Sequence, residues 1–300
     1  MSEISGIINM IKPLGWTSMD VVRLVKKQTR QKKIGHAGTL DPQATGILPI
    51  CIGQATRVME YIIDSPKTYR AKVFLGEATD TYDTQGEVTF SGDASWISKE
   101  DILKQLQSFE GSIYQVPPMY SALKKEGKRL YNLARAGTEI EREPRLVECY
   151  KVELESCSVP EFDIEIVCGK GLYVRSLAHD IGESLGCGAH LKELDRTSSG
   201  PFNYGNGVTI DQLEKYCNNG DIESLLFPID FPLLQYKAGM VQKEKWKAVE
   251  MGQGIYMGFP LDGDEDRVFY RLYSTEGDFI ALLKPDNTRG KWRAHKVFRQ

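Results

Sequence analysis

Apolar residues recur along the chain with two periods, and each period marks an element. In "TSMDVVRLVKKQTRQKK", Val21, Val22, Leu24 and Val25 follow a Thr17-x-x-Asp20 pair. This predicts a capped helix whose basic end suits a helix C-terminus. The run "ILPICI" between Gly46 and Gly53 predicts a buried strand, with Pro49 at a bend or an edge because proline donates nothing to a ladder. "ATRVMEYIID" reads as helix. "TYRAKVFLG" sets Tyr69, Ala71, Val73 and Leu75 on one face of a strand, and "EATDTYDTQGEV" supplies a turn and a second strand. Further on come a capped amphipathic helix, "SKEDILKQLQSFEG", two alternating strands parted by Pro160, "YKVELESCSVPEFDIEIVC", and a helix entered from a glycine turn, "YVRSLAHDIGESLG". Beyond the prolines of "PIDFPLLQYKAG" lie a short helix, "QKEKWKAVEMG", and the strands "RVFYRLY" and "DFIALLK" joined by "STEG".

Strands and helices mix without regular βαβ alternation. The expected class is α+β: a mixed, largely antiparallel sheet with flanking helices over residues 1–230, and a small β-rich domain over 236–300. A chain of 300 residues, 41% hydrophobic and 26% charged, suits one main domain with a small companion. The longest apolar run, Ile47 to Ile52, falls far short of the roughly 20 residues that span a bilayer. The N-terminus lacks a basic start and a cleavage-site pattern, so no membrane partner and a cytoplasmic location are expected. Six cysteines show no C-x-x-C spacing and four histidines never pair at i,i+4, which argues against a disulfide framework and a zinc site. The acids of "EATDTYDTQGEV" lack the spacing and terminal glutamate of a calcium loop. No metal is expected.

Charge alters this picture once it is divided along the chain. The net charge is −3, yet residues 1–40 hold seven Lys/Arg against two acids, 118–138 five against one, and 284–300 six against one. A local basic surface on an acidic remainder binds a polyanion without a high pI, provided the fold brings the runs together.

Candidate chemistry starts at Asp41, in "GHAGTLDPQATGILPICIGQATR", where a carboxylate sits among small and apolar residues. An Asp before a Pro is ordinarily a turn former. A functional reading needs a partner to orient it, and Arg175, in "GKGLYVRS" after a glycine turn, has no evident structural need of its own. Tyr69 and Tyr173 stand beside basic residues and serve either as core aromatics or as faces for a planar base. His36, between Gly35 and Ala37, has room to protrude. "VPPMYSALKKEGKRLYNLARAG" interleaves Tyr120 and Tyr131 with Lys124, Lys125, Lys128, Arg129 and Arg135, a pattern suited to phosphate contact with stacking and equally to a solvated helix.

Taken together, these segments resemble the TruB family of tRNA pseudouridine synthases. The resemblance rests on the Asp41 stretch and, in family order, on "KPLGWTSMDVV", "KTYRAKVFLGEATDTYDTQGEV", "PPMYSALKKEGKRLYNLARAG", "GKGLYVRSLAHDIGESLGCGAHLKEL" and "RTSSGPF", over roughly residues 7–202. It implies a pseudouridine synthase fold with an inserted thumb at about 118–145 and a PUA-like, RNA-binding module at 236–300. It implies isomerisation of uridine 55 in the T loop of tRNA, after the base is flipped out, by a monomer that needs no cofactor. Asp41 would be the nucleophile and Arg175 its ion-pair partner. Tyr69 would stack on the uracil, with proton removal from C5 a further role open to it. Tyr173 and Leu194 would line the uridine pocket, and His36 would contact the loop left behind. Lys12, Lys124, Lys125, Lys128 and Arg129 are the RNA-contact candidates. Leu172, Gln43 and Asp195 depart from the family's usual threonine, leucine and arginine, none at a position assigned to chemistry.

Asp41 has two chemistries open to it, attack at uracil C6 or assistance at ribose C1′. Competing readings are a guide-dependent, dyskerin-type enzyme of the same family, a non-catalytic tRNA-binding folding helper, and a glycoside hydrolase, which ordinarily needs a second carboxylate.

Overall fold

The computed structural model describes residues 4–298 except 122, 126–127, 131–133, 135–137, 139 and 258–267. In chain order its strands are β1 (Gly6–Lys12), β2 (Ile34–His36), β3 (Ala44–Ile52), β4 (Lys67–Leu75), β5 (Glu77–Thr79), β6 (Val88–Ser91), β7 (Gly111–Gln115), β8 (Lys124–Lys125), β9 (Lys128–Arg129), β10 (Arg145–Ser158), β11 (Glu161–Cys168), β12 (Ala189–Ser199), β13 (Phe202–Asn203), β14 (Lys237–Val241), β15 (Tyr270–Ser274), β16 (Phe279–Asp286) and β17 (Lys291–Val297). The α-helices are α1 (Ser18–Thr29), α2 (Met59–Asp64), α3 (Lys99–Gln107), α4 (Val174–Leu185), α5 (Ile210–Asn218) and α6 (Lys243–Glu250).

Among the described residues the main sheet follows the order β1-β3-β12-β4-β11-β10-β7, with β2 and β13 as side pairings. Every pairing in it is antiparallel except β12 with β3, which run parallel where Leu194 to Arg196 meet Ala44 to Gly46. The class is α+β with a mixed, largely antiparallel sheet.

Local sequence explains the helix starts. Thr17 and Asp20 form a reciprocal capping box on α1, and Ser98 and Asp101 do the same on α3. Pro49 departs from expectation: it lies inside β3, opposite Asn9 of β1, rather than at an edge. Its carbonyl accepts the Ala37 N–H (2.9 Å), just past the end of β2. The nitrogen of Pro49 lies on this same side, towards Ala37 and away from Asn9, so the missing N–H costs no rung to β1.

Two apolar clusters hold the sheet. Ala71, Val73, Phe162, Ile164 and Ile166 pack with α3 and α4, and Ile8, Met10, Leu48 and Ile50 pack with α1 and α5. Each fully buried large aliphatic or aromatic side chain contributes about 1.5–3 kcal/mol. The exposed ion pairs across β4, β10 and β11, such as Arg70–Glu155 and Lys72–Asp163, contribute about 0–1 kcal/mol each, so burial decides the stability of the sheet. Tyr69 and Leu194 touch both clusters, which places them where the two cores meet.

A second sheet, β14-β15-β16-β17, has its own core around Val241, Leu272, Leu283 and Trp292. Leu282 and Phe298 pack with Ile7, Ile47, Tyr61 and Phe202 of the main body. Lys296 Nζ bonds both Glu60 (2.6 Å) and the Arg57 carbonyl (2.5 Å), fastening this sheet to α2. Within the segment expected to form a thumb, Lys124–Lys125 and Lys128–Arg129 pair as a short ladder. The side chains of Lys124, Lys125, Lys128 and Arg129, and Tyr131 and Arg135 altogether, lie outside the described residues. No helix among the described residues is long and apolar enough to cross a membrane.

Candidate active site

The loop between β2 and β3 carries Asp41 and is fixed from three sides. Ser18, the first residue of α1, accepts the Leu40 N–H (2.8 Å) through Oγ and donates to the Leu40 carbonyl (3.0 Å). Arg196 on β12, 1% exposed, donates to Ile47 O (2.7 Å) and Gly38 O (3.1 Å). Gly38 sits at φ +114°, in the region that favours glycine, with the Arg196 guanidinium beside it. On the third side, Lys12 donates through Nζ to Trp16 O (2.7 Å), Pro13 O (3.0 Å) and Pro42 O (3.5 Å). Lys12 was expected to contact RNA, and the structure corrects this. It is 0% exposed, its ammonium turned inward to the Trp16 and Pro13 carbonyls, while Pro42 O also accepts the Gly15 N–H (2.8 Å). Burial pulls its pKa down to about 8, against the opposing pull of nearby Asp41.

Arg175 enters from the first turn of α4 and is 6% exposed. Its Nη2 meets Asp41 Oδ2 at 2.9 Å and donates to Tyr120 O at 2.7 Å. Its Nη1 meets Asp83 Oδ2 at 3.4 Å and donates to Thr81 O at 3.3 Å. One planar guanidinium thus holds two carboxylates and two carbonyls, using its fork geometry. Asp41 is 42% exposed, through the mouth of the cleft. Its pKa is pushed up, first by burial and then by Asp83, while Arg175 and Lys12 pull it back down. Arg175 and Lys12 thus limit, without reversing, a rise that burial and Asp83 drive.

Asp41, Tyr69, Tyr173, Arg175 and Leu194 line a common cavity of about 250 Å³. Tyr69 lies on β4 opposite Arg196, and burial pushes its hydroxyl up, so it enters any reaction as the neutral phenol. Tyr173 precedes α4 and is clamped through its backbone: the Gln115 amide accepts its N–H (2.7 Å) and donates to its carbonyl (3.0 Å). Burial pushes the Tyr173 hydroxyl up as well. Lys67, also in the wall, caps the end of α2 by donating to the carbonyls of Ile62 (2.9 Å), Ile63 (2.5 Å) and Ser65 (2.6 Å). His36, at the end of β2, is not among the residues lining this cavity; burial, then Arg196, holds its pKa down. A larger cavity, about 970 Å³, lies between α2 and the second sheet and is lined by Tyr61, Phe231, Tyr236 and Phe269. It holds no comparable carboxylate–guanidinium pair, so size does not identify the reactive site.

Sequence reasoning missed Asp83, Arg196, Gln115 and Ser18. The acids near Asp83 had been weighed only as metal ligands. A carboxylate in a tight turn has a second use as a partner for a buried arginine, and that was the signal available for it. Gln115 and Ser18 gave no signal, since their roles are contacts to backbone atoms far along the chain.

Residues 26–174 match the family model described as TruB family pseudouridylate synthase, N-terminal domain. Residues 175–233 match the tRNA pseudouridylate synthase B C-terminal domain. A tRNA pseudouridine synthase B of Dehalococcoides mccartyi is 42% identical over 293 residues, 98% of this chain and 96% of that protein. The protein of the same name from Clostridium tetani is 46% identical over 278 residues, 93% and 94% of the two chains. A chain in a solved Cbf5-Nop10-Gar1 complex superposes with a TM-score of 0.73 at 27% identity, covering 98% of this chain and 84% of that one. The resemblance of the Asp41 stretch, the length of the match and the shared fold agree, and the chain belongs to the TruB family of pseudouridylate synthases.

Proposed function

We propose that this protein converts uridine 55 in the T loop of tRNA to pseudouridine, acting alone as a cytoplasmic monomer. The observation that carries the reading is the Asp41–Arg175 pair, 2.9 Å apart in a cleft walled by Tyr69, Tyr173 and Leu194. The reaction breaks the N1–C1′ bond and joins C5 to C1′ in the same nucleotide, so its atoms and electrons balance without a redox partner or energy donor. Reaching the cleft requires the target base to leave its stack, at a cost of a few kcal/mol. The apolar wall of Leu194 and the Tyr69 ring then receive the uracil face. Asp41, held as an anion by Arg175, acts as nucleophile at C6 of the ring or assists at C1′. Tyr69 stacks on the ring, and because it is a neutral phenol its further role is to relay the C5 proton through its hydroxyl rather than to take it as a free base. His36, at the entrance to the Asp41 loop, contacts the opened RNA loop.

The purified chain should release tritium from a T stem-loop RNA carrying C5-labelled uridine, with no guide RNA or accessory protein and no free uracil. Failure on this naked RNA, with activity gained only when a guide is added, would favour the second reading, a guide-dependent enzyme. That reading is kept in view by the likeness to a chain crystallised with Nop10 and Gar1.

The division into a catalytic domain at 1–230, with a thumb at about 118–145, and an RNA-binding module at 236–300 belongs to the same proposal. A groove of about 510 Å³ lined by Gly252, Gly254, Thr288, Arg289, Lys291 and Arg293, with Asp286 as its one acid, supports it, since three cations against one carboxylate suit a phosphate backbone. Replacing Arg289, Lys291 and Arg293 together by alanine should weaken tRNA binding and flatten the slope of log K against log salt by about one for each phosphate left without its cation. An unchanged slope in a filter-binding titration would remove the module from the RNA interface.

A further inference from the structure

The turn between β5 and β6 holds an exception to backbone preference. Tyr82 lies at φ +64°, the left-handed region that a bulky residue avoids unless its surroundings impose it. Two contacts impose it. Leu191 N–H donates to the Tyr82 carbonyl (3.0 Å), and the Tyr82 ring stacks on His179, with centroids 4.0 Å apart and planes 12° from parallel.

His179 lies one helical turn after Arg175 on α4, at i,i+4, where side chains share a face. The dipeptide Tyr82–Asp83 thus rests on that face at two points, ring on ring and carboxylate on guanidinium. The rest of Asp83 is spoken for: Thr81 Oγ1 (2.7 Å) and Gln85 N–H (3.0 Å) donate to Oδ1, and Thr79 Oγ1 (2.7 Å) donates to its carbonyl. Only Oδ2 is turned to Arg175. His179 Nδ1 is buried with no hydrogen-bond partner among the described residues, so the ring is placed by packing rather than by a polar contact there.

We propose that Tyr82 and His179 are positioning residues: their stack fixes the left-handed turn that delivers Asp83 to Arg175, and thereby sets how Arg175 meets Asp41. The inference rests on the reading that Asp41 reacts as an anion. The titratable and charged groups that face Asp41 are Arg175, Asp83, Lys12 and the neutral phenols Tyr69 and Tyr173, and of the charged ones Asp83 pushes its pKa up. Loosening the turn withdraws Asp83, leaves the guanidinium to Asp41 alone and lowers the Asp41 pKa. The acid limb of the rate profile then moves to lower pH, which a merely structural loss would not produce.

The test uses the full chain with Tyr82→Asn, which tolerates the left-handed backbone but lacks the ring, and Tyr82→Phe, which keeps it. For Tyr82→Asn, kcat should fall about tenfold, the size expected for losing one aromatic stack. KM should stay within about twofold and the acid limb should shift down. Tyr82→Phe should recover kcat to within about threefold of wild type. On an Asp83→Asn background, Tyr82→Asn should add little, because both act through one contact. The idea is overturned by wild-type kcat and pH profile in Tyr82→Asn, or by a loss that brings a lower Tm but no shift of the acid limb and no rescue by Phe. An active Asp41→Asn enzyme would instead sink the reading of Asp41, whatever Tyr82 does.

Discussion

Asp41→Asn should abolish pseudouridine formation while leaving T stem-loop affinity within about threefold of wild type. The amide keeps the size of the side chain and one oxygen for Arg175, so the loop held by Ser18, Lys12 and Arg196 should stay in place. What it loses is the charge and with it the nucleophile. Removal of an essential reacting group lowers turnover by about four orders of magnitude or more, with binding largely spared. Tritium release under single-turnover conditions, beside a binding titration, measures the two effects separately. Turnover within tenfold of wild type would refute the assignment. The wild-type pH profile carries a related expectation. The reactive form is the carboxylate, and burial followed by Asp83 raises its pKa, so activity should rise with pH through an acid limb above the ordinary carboxylate range.

How much of this was legible in the chain depends on what each residue contacts. Thr17 and Asp20 act on atoms three residues away, so the start of α1 could be read directly, as could the alternation of Tyr69, Ala71, Val73 and Leu75. Asp41 and Arg175 were paired by asking which cation lacked another use and by family resemblance, and the fold sets them 2.9 Å apart. Lys12 was misread because a lysine in a basic run is ordinarily a solvated charge. Nothing local announces that its ammonium is needed inside to bind Trp16 and Pro13 carbonyls. Pro49 was misplaced for the matching reason: its nitrogen points away from β1, so the long ladder to β1 keeps its rungs, and which side a strand residue turns to which neighbour is a tertiary fact. Asp83 fell between these cases. Its acidity was noticed, but its target lies on a helix far along the chain, and a carboxylate in a turn announces several chemistries equally well.

Arg175→Lys should keep the positive charge and still lower kcat by about a hundredfold, the cost of misplacing a reacting group by about an ångström. The guanidinium serves Asp41 and Tyr120 O through one nitrogen and Asp83 and Thr81 O through the other. A lysine ammonium is a single point that cannot occupy both positions, so it settles between the carboxylates or goes to one of them. The carbonyls of Thr81 and Tyr120 then lose a donor inside the protein, at about 1–3 kcal/mol for each that finds no other. A lower Tm is therefore expected, and the kinetic comparison belongs well below it. The pH profile separates geometry from stability. Arg175 pulls the Asp41 pKa down, so a weaker partner lets it rise and the acid limb moves to higher pH, opposite in sign to the shift expected when the Tyr82 turn is loosened. Normal turnover with an unshifted limb would mean that charge alone suffices at this position and that the fork of Arg175 has no part in orienting Asp41.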